Sequence, residues 1–102
     1  MRALLATAAV LLAGNAPSLD EVRARVEKTP KDVEAFIVRR AGCNHFLGEY
    51  PYDRERAAEL NRAIRELRCD GLDRDGRNLR NTYRNNPEIL QLLDETADAL
   101  GW

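Results

Sequence analysis

The stretch TPKDVEAFIVRRAGCNHFLG, residues 29–48, decides the fold class. Thr29, Pro30 and Asp32 stand at the N-cap, N1 and N3 positions of a helix start. Proline needs no amide donor at N1, and a carboxylate in the first turn favours the positive end of the helix dipole. Behind that start, Val33, Phe36, Ile37, Cys43, Phe46 and Leu47 form an apolar stripe beside Ala41, and Gly48 ends it. The spacing predicts a helix over residues 30–47.

Beyond it, Gly48-Glu49-Tyr50-Pro51-Tyr52 reads as a rigid aromatic loop, because proline disfavours helical backbone at Tyr50. Asp53 is the next N-cap, and Ala57, Leu60, Ile64 and Leu67 recur at steps of three and four along one helix face. Past Cys69 the signals conflict. Leu72, Leu79 and Tyr83 continue the helical period, but two glycines and three aspartates between Asp70 and Gly76 argue for a bend. The expectation is a kink or short break near Gly71–Gly76. Asn86-Pro87-Glu88 opens a last helix, with Ile89, Leu90, Leu93, Ala97 and Leu100 facing inward and Gly101 ending it. Upstream, Ser18 and Glu21 have capping-box spacing, and Leu19, Val22 and Val26 give a first helix over residues 19–28. No segment alternates with period two for long enough to make a strand. The fold class is therefore all-α, a small bundle of four to five short helices.

The first sixteen residues, MRALLATAAVLLAGNA, belong to a different pattern. Arg2 precedes an apolar run from Ala3 to Ala13, and the small residues Gly14 and Ala16 follow, the order of a secretory signal peptide. The run has eleven residues, whereas a membrane-spanning helix needs about 20. A stable membrane anchor is not expected. Residues 1–16 read as a signal peptide cleaved near Ala16, although Pro17 just after that point suits a peptidase poorly. Residues 17–102 read as one helical domain, periplasmic or secreted.

Without Arg2 the 16 Lys and Arg fall to 15, against 17 Asp and Glu, so the domain carries a net charge of −2. That balance does not describe a nucleic-acid binder or a polycation for membrane surfaces. A domain this short buries only about 60–65% of its unfolded surface, so its core is modest. Two cysteines, Cys43 and Cys69, occur in a chain that reads as exported, where disulfides persist. They are expected to pair and to tie two helices at matching ends, which leaves neither as a nucleophile or metal ligand. Cys43 and His45, two positions apart on a helix, point to different sides.

Other constellations were weighed on their chemistry. Asp70, Asp73 and Asp75 beside Gly71 and Gly76 fit an EF-hand loop in neither frame, because position 12 falls on Thr82 or Arg77. A tetratricopeptide-like repeat would place Arg40 where a small residue must pack. No metal or cofactor is expected. Two surfaces remain. The segment from Asn44 to Asp53 holds the only histidine, His45, with Glu49, Tyr50 and Tyr52, and tyrosine is favoured at recognition surfaces. Arg77, Arg80 and Arg84 recur at helical spacing among Asn78, Asn81, Asn85 and Asn86, a strip suited to carboxylates, phosphates or sugar hydroxyls.

The reading this supports is a small exported, non-catalytic protein-binding module whose partner is another exported or envelope protein. In size, single disulfide and helical content it resembles the small exported inhibitors and immunity proteins that block cell-wall-degrading enzymes. That likeness is one of general form, and no motif carries it residue by residue. An alternative is a structural module that forms a homodimer through the apolar side of its last helix. Another is a small hydrolase using His45 with Glu49 or Asp53.

Overall fold

A computed structural model describes residues 17–101, so the signal-peptide reading of residues 1–16 lies outside the described residues. Within them are five α-helices, one 3-10 turn and no strand. Helix α1 spans Leu19–Glu27, α2 Lys31–Leu47, α3 Arg54–Glu66, α4 Leu72–Thr82 and α5 Pro87–Glu95, with the 3-10 turn at Cys69–Gly71. The all-α expectation holds.

Each start follows from its cap. Ser18 Oγ accepts from the Glu21 amide at 3.2 Å, Asp53 Oδ1 from Arg56 at 2.8 Å and Asn86 Oδ1 from Ile89 at 3.2 Å. Helix α2 begins one residue later than expected, with Pro30 rather than Thr29 at the N-cap. The Thr29 hydroxyl instead donates back to the Val26 carbonyl at 2.6 Å, closing the end of α1.

The main apolar cluster joins Val26 of α1, Val33, Phe36 and Ile37 of α2, Leu79 of α4, and Ile89, Leu92 and Leu93 of α5. Helix α3 contributes no member to it. Its one buried side chain, Leu60, sits apart, with Ala57, Ile64 and Leu67 half-buried. Beside this smaller apolar contact with α2, polar and covalent links fasten α3 to the rest. The Cys43–Cys69 disulfide joins α2 to the turn after α3, with Cα atoms 5.7 Å apart. Arg39 of α2 reaches across to the end of α3, donating from Nε to the Leu67 carbonyl at 2.5 Å and from Nη2 to the Arg68 carbonyl at 2.6 Å. Its Nη1 meets Asp75 of α4 at 2.8 Å. One guanidinium thus satisfies two carbonyls of a helix end and pairs with a carboxylate on the next helix.

Three expectations need correction. The break between α3 and α4 is confined to residues 67–71: Arg68 takes a left-handed conformation with φ of 50°, Gly71 ends the 3-10 turn, and α4 then runs unbroken through Gly76. Gly76 is tolerated because it packs on Phe36; a Cβ there would lie 3.1 Å from Phe36 Cζ. Leu47 is 61% exposed. It ends α2 on the rim of a groove facing α3, rather than inside the bundle. Helix α5 stops at Glu95, not at Gly101, and Leu100 is exposed while Leu92 is buried. The cause is again on α2. Arg40 Nη2 donates to the Leu93 carbonyl at 2.7 Å and to Thr96 Oγ1 at 3.0 Å, and Asn44 Nδ2 donates to the carbonyls of Ala97 and Ala99 at 2.9 and 3.0 Å. Side chains take acceptors that a longer helix would use internally, so the chain unwinds there.

A left-handed arginine is strained by about 1 kcal/mol, and glycine is the residue that this position after a helix prefers. Arg68→Gly is therefore expected to raise the unfolding free energy by about 1 kcal/mol, read as a higher urea midpoint with an unchanged slope.

Candidate functional site

Helix α2 ends where the Gly48 amide donates to the Asn44 carbonyl at 3.1 Å, and the Glu49 amide then donates to that of Phe46 at 3.4 Å. From there the chain must turn and start α3, and one residue sets both ends of the turn. The Arg56 guanidinium grips the Glu49 carboxylate with Nε at 2.5 Å and Nη2 at 2.7 Å, while the Arg56 amide is capped by Asp53. A two-pronged guanidinium–carboxylate contact fixes direction as well as distance. Tyr50, Pro51 and Tyr52 are strung between these anchors and stand clear of the body, with Tyr50 92% and Tyr52 82% exposed. Tyrosines held that far out of the protein contribute nothing to its core.

Beside the loop, between α2 and α3, runs a shallow groove of about 160 Å³ lined by Phe46, Leu47, Pro51, Ala57, Leu60 and Ile64. Exposed Leu47 and Pro51 line this groove, and Tyr50 and Tyr52 flank Pro51 in the chain. His45 is exposed and sets its ring edge-on to Phe46, with centroids 5.1 Å apart. Glu49 and Asp53 both turn to Arg56, and among the described residues neither forms a hydrogen bond to His45. Among the loop residues singled out from the sequence, Glu49 is tied to Arg56 and His45 lies against Phe46, and Tyr50 and Tyr52 are exposed.

The arginine strip is not a single surface. Arg80 Nη2 pairs with Asp94 of α5 at 2.7 Å, and Arg84 Nη1 donates to the Asn81 carbonyl of its own segment at 2.9 Å. Arg77 makes no hydrogen bond or ion pair among the described residues. Arg77 and Arg80 line a groove against α2, and the tyrosine loop belongs to the other groove. Asp75, one of the three clustered aspartates, is committed to Arg39 and Arg74 in the first turn of α4. Among the described residues, no group of three or more His, Cys, Asp or Glu is placed to hold a metal ion, and no helix is long and apolar enough to cross a membrane. The apolar side of α5 is spent within the chain, since Ile89, Leu92 and Leu93 are buried.

Sequence reasoning missed the four side chains that shape these surfaces: Arg39, Arg40, Asn44 and Arg56. A signal existed for three of them. Two adjacent arginines with Asn44 one turn on, inside an otherwise apolar helix, mark a polar face that needs acceptors from its neighbours. Arg56 stood out in no comparable way among the many arginines.

The pair with Arg56 holds the Glu49 carboxyl below its ordinary value of 4.5, chiefly through the hydrogen bonds it accepts. A depressed folded pKa means the contact is whole at neutral pH and is lost as the pH falls through that depressed value, below 4.5. Raising the pH gains nothing. At neutral pH, Glu49→Gln is expected to loosen the loop in the same way, seen as faster chymotrypsin cleavage after Tyr52 with little change in global stability.

No family model matches the chain, and comparison with curated proteins and with solved structures finds nothing similar. Structurally, the described residues form an all-helical, singly disulfide-linked domain with an exposed aromatic loop between α2 and α3.

Proposed function

We propose that this protein is a small exported, non-catalytic protein-binding module that engages another exported or envelope protein through its Tyr50-Pro51-Tyr52 loop. The observation that carries the reading is the pairing of near-complete exposure at both tyrosines with a fixed frame, the Glu49–Arg56 contact and the Asp53 cap. A side chain ordered in advance loses less entropy on binding, and tyrosine supplies wide contact area with few rotatable bonds. Leu47 and the neighbouring groove extend the apolar centre, and charged residues flank it, the usual anatomy of a contact patch. Export is supported by the order of residues 1–16 together with the disulfide, since such links persist in oxidising compartments. An inhibitor or immunity-type protein directed at a cell-envelope enzyme is the form that fits these features.

The test uses purified protein against a panel of peptidoglycan hydrolases and against envelope extract, with bound proteins identified by mass spectrometry and their affinities remeasured with pure components. Tyr50→Ala/Tyr52→Ala is expected to weaken a genuine complex by at least about a hundredfold, because central aromatic anchors each contribute about 2 kcal/mol. Equal affinity of wild type and double variant for the identified partner would remove the loop from the reading. Recovery of the protein only from the cytosol, uncleaved, would remove export.

A further inference from the structure

We infer that the groove between α2 and α4, where Arg40, Arg77 and Arg80 meet over Phe36 and Leu72, binds a monocarboxylate that carries a compact apolar body. This site is separate from the tyrosine loop and stands or falls independently of it. The groove has a volume of about 390 Å³, within the range of small-molecule sites. Three guanidiniums line it with one carboxylate, Asp73, while Asp94 and Asp98 lie near Arg40 from outside the lining. Arg77 has no ion pair or hydrogen bond among the described residues. Arg40 spends Nη2 on a carbonyl and a hydroxyl, neither of them charged, and its buried Nε has no partner. Arg80 is neutralised on one side only, by Asp94.

Burial, and then the nearby Arg80, disfavour the charged form of Arg40 and pull its pKa down, against a smaller opposing pull from Asp94 and Asp98. An anion seated between Arg40, Arg77 and Arg80 would relieve that repulsion. The planar guanidinium matches the two oxygens of a carboxylate. Beneath, Arg40 lies over the Phe36 ring, 5.1 Å from its centroid, and Gly76 packs on the ring edge, so that Phe36 is only 7% exposed. The apolar wall left to a ligand is Leu72 with the rim of Phe36. Asp73 in the lining, and the acidic balance of the chain, act against polyanions such as nucleic acid and against doubly charged phosphates.

The experiment is an amide-resolved NMR titration of the folded protein with sodium benzoate, beside sodium phosphate, sodium acetate and sodium chloride at matched ionic strength. Benzoate is expected to give saturable shifts centred on Gly76, Arg77 and Ala97, with acetate weaker and with phosphate and chloride giving only unsaturated drift. Arg77→Gln, at an exposed position without structural contacts, is expected to weaken benzoate by about fivefold or more while leaving the melting temperature in place. Tyr50→Ala/Tyr52→Ala should leave benzoate binding untouched. The inference is overturned by an absence of saturation up to about 50 mM benzoate. It is equally overturned by shifts centred elsewhere, by phosphate saturating as well as benzoate, or by an Arg77→Gln protein that binds benzoate as tightly as wild type.

Discussion

Replacing both cysteines, Cys43→Ala with Cys69→Ala, is expected to cost about 3.5 kcal/mol of stability, the entropy of an open 27-residue loop in the unfolded chain. For a domain of this size that corresponds to a fall in melting temperature of about 15–25 °C. The effect should also be uneven. Helix α3 contributes no member of the main apolar cluster, whereas α1, α2, α4 and α5 share it. Hydrogen exchange in the double variant is expected to rise first and most in residues 54–66, with Val33, Ile37 and Leu93 protected longest. A melting temperature within a few degrees of wild type, or uniform loss of protection, would contradict this account of how α3 is held.

The second large effect falls on Arg39. Arg39→Ala strips the guanidinium from the Leu67 and Arg68 carbonyls, the second of which keeps its bond from the Gly71 amide, and leaves Asp75 with only the exposed Arg74 as its charge partner. The loss of these charge-assisted bonds is expected to cost about 2–3 kcal/mol. Its neighbour supplies the control. Arg40→Met also removes two hydrogen bonds, but it removes as well an unsatisfied buried Nε and the repulsion with Arg80, and Thr96 keeps its bond to the Leu92 carbonyl at 2.8 Å. The expected cost is about 1 kcal/mol. Equilibrium urea unfolding of both variants measures the difference; equal losses would show that burial, rather than the pattern of satisfied groups, sets the value of these arginines.

The same two residues explain which parts of the fold were legible in the sequence. Helix starts were readable, because a cap is a local event written in three or four residues: Ser18, Asp53 and Asn86 all cap as their spacing implied. Helix ends were less so. The end of α5 is decided by Arg40 and Asn44, more than fifty positions away in the chain. The break after α3 is stabilised by Arg39, 28 positions upstream of Leu67. Periodicity also misjudged Leu47 and Leu100, since an apolar residue on the right face is buried only where a neighbouring element reaches it. At the loop, composition pointed to Tyr50 and Tyr52, but their exposure and the Arg56 clamp are tertiary facts. The arginine strip showed the opposite failure: three residues at helical spacing proved to have three different neighbourhoods.

The position of α3 has a further consequence for how this protein can change. The tyrosine turn leads into α3, which lies outside the main apolar cluster and is braced by a sulfur bridge, two arginines and the smaller contact around Leu60. Replacing the three residues 50–52 with another rigid tripeptide leaves every buried methyl group where it was, provided Glu49, Asp53 and Arg56 stay. Residues 50–52 are thus separable from what keeps the chain folded, and their side chains are free to vary at little thermodynamic penalty.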